Sequence, residues 1–265
     1  MNKNELNNIL KKYYSFSDVA MSKLNIDDKQ HFDLVIVSPT WKPHFVFNEE
    51  YSIENLKTGS TSTFILYYNN KKILFIKTGK GAPNMVDNLL LLRNIDAPYI
   101  FLGSAGSLNE NVHEGDIFMP CYSISGDGAS LYFEKKINTD NFLNKIIFSI
   151  EIKQHIESVL KNCNFSYKNG GVYSTDTLIG EYYHMQEIMK LGASCIEQET
   201  ASFGKCMKIM EKEGFPILVI SDSLITGTNY YEPIENKQEY LLTRTKKLQK
   251  IISKFIQQKY TTYFY

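Results

Sequence analysis

Three short apolar segments constrain the fold of this chain most strongly, because each stops abruptly at small or polar residues. The segments and the residues that stop them are 34–37 before Ser38-Pro39, 99–102 before Gly103-Ser104-Ala105-Gly106, and 217–220 before Ser221-Asp222. Such lengths suit strands rather than helices, which need about 10 residues or more. Continuously apolar strands are typical of sheets covered on both faces. The pattern therefore predicts buried strands with small or polar residues at their ends.

Helical patterns alternate with these segments. They occur in residues 1–30, 83–94, 142–162, 181–191, 199–212 and 236–258. Two β-rich runs that flank Asn69-Asn70 predict a hairpin in residues 63–77. Strands that alternate with helices predict an α/β fold, here a single three-layer α/β/α domain with a mixed central β-sheet. We assign residues 1–30 to an N-terminal helical extension and residues 31–265 to this domain.

The composition argues against several classes of partner. Lys and Arg together number 29, as do Asp and Glu, so the formal net charge is zero and no basic surface for nucleic acid or a membrane is indicated. No apolar run approaches the ~20 residues that span a bilayer. The polar N-terminal segment lacks the apolar core of a secretory signal, so we expect a cytoplasmic protein. The four cysteines are scattered without zinc-site spacing, so we expect no metal.

The strand ends predict where a ligand binds. Ligands of α/β sheets lie beyond the carboxyl ends of the strands, and residues 78–81, 103–107 and 221–223 all follow predicted strands. The small residues at 103–106 predict a turn whose backbone can approach a ligand closely and point N–H groups at an anion or a hydroxyl. Glu197-Gln198-Glu199, between a short strand and a helix, is a fourth candidate.

Five motifs, in order, resemble the nucleoside phosphorylase and nucleosidase superfamily. They are TGKGAPNMVDNLLLL at 78–92, GSAGSL at 103–108 with GD at 115–116, STDT at 174–177, IEQETASF at 196–203 and ISDS at 220–223. The resemblance extends over about residues 33 to 255. It implies an enzyme that cleaves an N-glycosidic bond through an oxocarbenium-like sugar, without a metal or an organic cofactor. It also implies a homo-oligomer, because members of the family form dimers, trimers and hexamers.

The resemblance implies two catalytic residues. Asp222 would protonate the leaving purine, and Glu199 would hold the ribose hydroxyls. Physical chemistry agrees with both roles, because a leaving base needs a proton and a sugar cation needs nearby negative charge. Two structural alternatives stay open: Asp222 could cap a helix, and Glu197 and Glu199 could be first-turn carboxylates favoured by the helix dipole.

Further residues are assigned to substrate binding by the same resemblance. Ser104, Ala105 and Gly106 would line the nucleophile end of the pocket, and Glu197, Gln198 and Ser221 would flank the two catalytic residues. The remaining candidates from the resemblance are Asp176, Leu178 and Ile179 in the base loop and Lys42 after the first strand. Trp41 is added because it lies in a loop at the end of that strand.

The motifs point to two different nucleophiles, water and phosphate. Phosphorylases of this family usually carry Gly-Asp-Pro-x-Arg after the first strand, whereas this chain has residues 38–43, Ser-Pro-Thr-Trp-Lys-Pro. Its Gly-Ser-Ala-Gly resembles the nucleosidases, which favours water over phosphate. However, the nucleosidases place a Glu near Thr40, and Lys80 and residues 126–133 resemble the phosphorylases. We therefore expect hydrolysis, with phosphorolysis and a non-catalytic nucleoside-binding protein as alternatives.

The expected substrate is a purine-type nucleoside, with phosphate as a candidate second substrate. Uridine phosphorylases use a Gln and an Arg near the base loop, but this chain has no Arg between Arg93 and Arg244. With Asp222 in the acid position, a purine is favoured. Gln198 replaces a Met that packs under the ribose in the family, so an unusual nucleoside fits the sequence as well.

Overall fold

The fold is a mixed α/β structure, seen in a computed structural model. The structure describes residues 1–13, 19–27, 29–134, 136, 140–227 and 237–258. The strands are β1 (Leu34–Ser38), β2 (Ser52–Lys57), β3 (Ser62–Tyr68), β4 (Lys71–Lys77), β5 (Tyr99–Ser107), β6 (Ile117–Gly126), β7 (Lys145–Ile146), β8 (Lys168–Thr175), β9 (Ala193–Glu197) and β10 (Gly214–Ser223). The helices are α1 (Lys3–Tyr13), α2 (Val19–Leu24), α3 (Ala82–Leu89), α4 (Ile150–Asn162), α5 (Leu178–Lys190), α6 (Thr200–Met210), α7 (Lys237–Leu242) and α8 (Leu248–Gln257).

One mixed sheet contains all of these strands, in the order β10-β6-β8-β9-β5-β1-β4-β3-β2, with β7 paired to β6. β1 lies parallel to β4 and β5, and β5 also lies parallel to β10, whereas β3 is antiparallel to both β2 and β4. The extra pairing between β10 and β5 closes a circuit through β6, β8 and β9. The mixed α/β fold expected from the sequence is confirmed, while this closure was not predicted.

The hairpin is confirmed. β3 and β4 pair antiparallel up to Tyr68 and Lys71, and the two asparagines between them have φ angles of 47° and 60°. Positive φ at both central residues is the geometry of a type I′ turn, whose twist matches that of the strands. Asn accepts this region more readily than most residues, so Asn69 and Asn70 explain why the chain reverses here.

Two groups of helices pack beside the sheet. α6 contacts both α1 and α3, α4 contacts α8, and α6 also contacts β6, β8 and β10. Leu6, Leu10 and Leu24 of the N-terminal helices belong to the same buried apolar cluster as the strands. Phe101 of β5 meets Phe203 of α6 with ring centroids 5.6 Å apart. Burial of these faces is the main stabilising contribution.

Two local predictions are wrong. The sequence predicted a turn at residues 103–106, but β5 continues through them to Ser107 because β10 and β9 pair with it there. The sequence also predicted one helix over 142–162, but α4 begins at Ile150, where the Ser149 side chain accepts the Ile152 N–H as a cap. The preceding β7 pairs with β6 instead.

The C-terminal helix is divided. α7 and α8 are joined by a π-helical turn over Thr243–Lys247. Single π-turns inside α-helices are often found near functional sites. Residues 228–236, which include the first residue of the predicted helix and most of the link from β10 to α7, lie outside the described residues.

Candidate active site

A cavity opens at the carboxyl ends of β1, β5 and β10 and beside the start of α6. The residues that line it are Pro39, Thr40, Lys80, Ser104, Ala105, Gly106, Leu178, Glu181, Ile196, Glu197, Gln198, Glu199, Ser221 and Asp222. Most of the residues assigned to the site from the sequence are therefore brought together, although they come from distant parts of the chain. Their roles in substrate binding stay predictions.

Asp222 reaches the cavity through an irregularity in β10. Ile220 pairs with Ala105 and Asp222 pairs with Gly106, so Ser221 is an extra residue in the ladder. Such a bulge re-aims the side chains that follow it. The Ser221 hydroxyl donates to the Asp222 carboxylate, and Asp222 is buried. Burial raises the pKa of Asp222 above its ordinary value, despite the Ser221 hydrogen bond, which acts in the opposite direction.

The small residues of β5 are explained by what lies against them. A Cβ atom at Gly106 would meet Leu224 Cδ1 at 2.8 Å and Asp222 Oδ2 at 3.2 Å. The first distance is too short for real atoms, so a larger residue at position 106 would force the Leu224 side chain to move and would press on the Asp222 carboxylate. The close approach expected at Gly106 is therefore found, but its partner in the structure is the end of β10.

Glu197 holds the start of α6 in place. Its carboxylate accepts hydrogen bonds from Glu199 N at 2.7 Å, Thr200 N at 2.8 Å, Thr200 Oγ1 at 2.7 Å and Ser174 Oγ at 2.5 Å. Negative charge at a helix N-terminus is stabilised by the exposed N–H groups and by the helix dipole. The contacts of Glu197 therefore agree with the structural alternative, a carboxylate that stabilises the start of the helix. The residue also borders the cavity.

Glu199 is the less constrained of the two glutamates. Its Oε1 accepts the Gly81 N–H at 2.6 Å, which ties the loop before α3 to the start of α6. Burial and the negative charge of Glu197 raise the pKa of Glu199 to about 8, while Lys80 acts in the opposite direction. A sugar cation beside Glu199 would favour its ionised form, because opposite charges stabilise each other strongly in a buried site.

Trp41 does not line the cavity. It is buried, and its ring centroid lies 5.9 Å from the guanidinium carbon of Arg244. The same guanidinium lies 5.5 Å from the Phe45 ring and 5.6 Å from the Tyr240 ring. Tyr240 in turn places its hydroxyl 3.3 Å from Ser104 Oγ. Trp41 therefore belongs to an aromatic cluster around Arg244, which contacts the cavity lining at Ser104.

Three other assigned residues lie apart from the cavity lining. Lys42 precedes a 3-10 turn over Pro43–Phe45. Asp176 is exposed and accepts the Gly128 N–H at 2.8 Å, so its carboxylate fastens a neighbouring loop. Ile179 is 76% exposed, because it faces away from the side of α5 that carries Leu178.

Glu181 is the acidic lining residue that the sequence analysis missed. It lines the cavity from α5 and is buried, and its Oε2 atom has no hydrogen-bond partner in the part of the chain that the structure describes. Burial and the negative charge of Asp222 raise the pKa of Glu181 to about 8. The available signal was its spacing: α5 begins at Leu178, and residues three apart share a helix face. The predicted helix began at residue 181 instead.

Neither metal ligands nor membrane spans emerge from the described part of the chain. It contains no group of three or more His, Cys, Asp or Glu residues that could hold a metal ion. None of its helices combines the length and apolar character required to cross a membrane.

Comparison with known proteins decides the family. A sequence model described as the phosphorylase superfamily matches residues 41–257. The chain belongs to this superfamily. The resemblance inferred from the five motifs is confirmed.

Relatives of this phosphorylase-superfamily chain include bacterial enzymes. It is 30% identical over 166 residues to the DeoD-type purine nucleoside phosphorylase of Buchnera aphidicola subsp. Schizaphis graminum, a match that covers 60% of this chain and 66% of the relative. It is 25% identical over 177 residues to the DeoD-type enzyme of Thermoanaerobacter sp., covering 62% and 70%. The chain thus spans about two thirds of the length of these relatives.

Solved structures show the same fold. Purine nucleoside phosphorylase from Toxoplasma gondii, in complex with immucillin-H, superimposes with a TM-score of 0.71 at 15% identity, covering 87% of this chain and 92% of that one. Uridine phosphorylase from Vibrio fischeri gives a TM-score of 0.69 at 20% identity, covering 87% and 93%. At these identities the likeness establishes the fold only.

Proposed function

We propose that this protein cleaves the N-glycosidic bond of a purine nucleoside in the cavity described above. The observation that carries the proposal is that Asp222 and Glu199, from the end of β10 and the start of α6, are buried side chains lining one cavity. Both have a raised pKa. Perturbed carboxyl groups that converge in a cleft are typical of acid–base sites.

Asp222 would act on the leaving base. Protonation of N7 makes the purine a better leaving group, and this requires an acid whose pKa lies nearer to neutral than that of an exposed aspartate. Burial of Asp222 provides that shift. The Ser221 hydroxyl, which donates to Asp222 Oδ1, would orient the carboxyl group and stabilise it once the proton has left.

Glu199 would act on the sugar. As the glycosidic bond breaks, positive charge develops on the ribose ring, and a nearby carboxylate stabilises it. The Gly81 N–H holds one oxygen of Glu199 in place, and Glu197 fixes the backbone on which Glu199 stands. The geometry is therefore set before substrate arrives, which reduces the cost of organising the transition state.

Phosphate is the nucleophile that the relatives favour. Both curated relatives described above are named purine nucleoside phosphorylases, and the matched family model is that of the phosphorylase superfamily. Attack by a phosphate oxygen at C1′ would break the bond to the base and give ribose 1-phosphate and the free purine. We therefore propose phosphorolysis in place of the hydrolysis expected from the sequence, which the comparisons do not confirm.

Hydrolysis remains the second candidate because the cavity lining has few cationic side chains that could hold phosphate. Among its described lining residues, Lys80 is the only one with a cationic side chain, and no arginine is present there. Arginine binds phosphate with two parallel hydrogen bonds, whereas lysine provides a single point charge. Water needs no such group.

A single assay separates the candidates. Purified protein is incubated with inosine or adenosine at increasing phosphate concentrations, and the sugar product is identified. Release of base that requires phosphate, with ribose 1-phosphate as product, supports phosphorolysis, whereas free ribose at a phosphate-independent rate supports hydrolysis. Saturable nucleoside binding without base release would contradict both and favour the non-catalytic alternative. We also propose that the protein is a cytoplasmic homo-oligomer. Light scattering of the same sample would measure the oligomeric state.

A further inference from the structure

Glu181 lines the cavity but has no role in the mechanism proposed above. It lies in the first turn of α5 and lines the cavity together with Leu178, one turn away on the same helix face. Only 5% of Glu181 is exposed, and its buried Oε2 atom has no hydrogen-bond partner among the described residues. Leaving a buried polar atom unsatisfied destabilises the folded protein. A partner supplied by a bound ligand would remove that cost.

The charge state of Glu181 defines what it can bind. Burial and the nearby charge of Asp222 raise its pKa to about 8, so the side chain keeps its proton at neutral pH. A neutral carboxyl group presents one O–H donor beside one acceptor oxygen, whereas an ionised one only accepts. Glu181 can therefore pair with a ligand group that accepts a hydrogen bond or with one that donates.

The neighbouring Asp222 indicates which part of the ligand Glu181 meets. This step rests on the proposed function, in which Asp222 faces N7 of the purine. The substituent at C6 lies next to N7 on the same edge of the base. A second carboxyl group that lines the same cavity near Asp222 would therefore face this substituent.

We propose that Glu181 is a specificity-determining residue that recognises the 6-substituent of the purine. Its protonated carboxyl group donates to a 6-oxo group or accepts from a 6-amino group. A purine with hydrogen at C6 offers neither partner and leaves the Glu181 oxygen unsatisfied. Sites that are built to hydrogen-bond a substrate group discriminate strongly against analogues that lack it.

The experiment compares three ribosides that differ at C6, of which the 6-oxo compound also carries a proton on N1: inosine, adenosine and purine riboside. We measure kcat/KM for each with the wild-type protein, with Glu181→Gln and with Glu181→Leu. Gln retains one donor and one acceptor in nearly the same shape, whereas Leu has neither. Glu187→Gln is the matched control, because Glu187 lies on the same helix with its side chain 74% exposed.

The wild-type protein, Glu181→Gln and the control are expected to prefer inosine and adenosine over purine riboside by about 10-fold or more. Glu181→Leu is expected to bring the ratio within about 3-fold of unity. Glu181→Met replaces it if the Leu variant does not fold.

Two results would overturn the inference. Unchanged ratios in Glu181→Leu would show that Glu181 does not contact the base, and equal loss in Glu181→Gln and Glu181→Leu would show that Glu181 binds as a carboxylate. A wild-type protein that cleaves none of the three ribosides would instead overturn the proposed function, and this inference with it.

Discussion

The two ends of the cavity carry acidic groups in contrasting environments. At the end proposed to hold the sugar, called the sugar end below, Glu197 accepts four hydrogen bonds from the start of α6 and from Ser174, and Glu199 accepts one from Gly81. At the end proposed to hold the base, called the base end below, Asp222 accepts from Ser221, whereas Glu181 Oε2 has no partner among the described residues. Burial raises the pKa of Asp222, Glu181 and Glu199.

This difference suggests a division of labour. The sugar end is organised by the protein itself, so its geometry should persist without ligand. The base end is left incomplete, so a bound base would have to satisfy it. Preorganised groups serve transition-state stabilisation, while unsatisfied groups serve selectivity, because only a suitable ligand removes their cost.

The largest expected effect is at the base end. Asp222→Asn preserves the shape of the side chain but removes the acid, so kcat for a purine nucleoside should fall by about 10²–10⁴, which corresponds to about 3–5 kcal/mol of barrier. The dissociation constant for the nucleoside should stay within a few fold. Steady-state kinetics and equilibrium binding on the same preparation measure both. A large loss of affinity would show instead that the substitution disturbs the cavity.

At the sugar end, removal of Glu197 should destabilise the fold. Glu197→Ala leaves the Glu199 and Thr200 N–H groups and the Ser174 and Thr200 hydroxyls without their acceptor. We expect the free energy of unfolding to fall by about 3 kcal/mol, since each unsatisfied buried group costs about 1–3 kcal/mol and such costs are not fully additive. Urea unfolding measures it, with the exposed Glu110→Ala as the control. A loss no larger than that of the control would show that the network contributes little.

A smaller effect is expected at the base end, where the contribution of Glu181 to stability should depend on pH. The pKa of Glu181 is about 8 in the folded protein, whereas the pKa of a glutamate in the unfolded chain is about 4.5. The folded state therefore binds more protons in this window, and the contribution of Glu181 to stability falls as pH rises from about 4.5 to about 8. Gln does not titrate, so Glu181→Gln should gain stability relative to the wild type as pH rises.

Urea unfolding of both proteins at pH 5 and pH 8 tests this. We expect the difference between the variant and the wild type to increase by on the order of 2 kcal/mol, below the limit of about 1.4 kcal/mol per pH unit for one proton. The Glu199 titration is present in both proteins and cancels. A difference that is independent of pH, or that decreases, would show that Glu181 is ionised in the folded state.

The smallest effect concerns Gln198, which lines the sugar side of the cavity and is half-buried. Gln198→Met should raise kcat/KM for common purine ribosides by about 3-fold to 10-fold, because a thioether packs against the ribose without needing hydrogen bonds. Comparison of kcat/KM for inosine and adenosine between the two proteins measures this. An unchanged substrate profile would show that Gln198 does not contact the sugar.

The sequence predicted the parts of the fold and the site that depend on local pattern. The positive φ angles of Asn69 and Asn70 follow from residue type, and apolar runs identify buried strands. The turn predicted at residues 103–106 is wrong because a pairing partner far along the chain, β10, extends β5 through it. Local composition carries no information on such a partner.

Individual side-chain positions were predictable only in part. Asp222 and Glu199 lie within recognisable motifs, and the structure brings them to one cavity. Trp41 was assigned to the pocket from its place after β1, but its ring packs near Arg244, from a distant helix. Glu181 was missed because its significance comes from burial next to Asp222, a contact between separate elements.

The central claim is that Asp222 protonates the leaving base, and the dependence of the Asp222→Asn defect on the leaving group tests it most directly. The rate of Asp222→Asn relative to the wild type is measured with inosine and with a nitrophenyl riboside, whose leaving group needs little protonation. The account predicts a loss of about 10²–10⁴ with inosine and a rate within a few fold of the wild type with the nitrophenyl riboside. Cleavage of inosine by the variant at the wild-type rate would contradict this claim, as would equal losses of rate with both substrates.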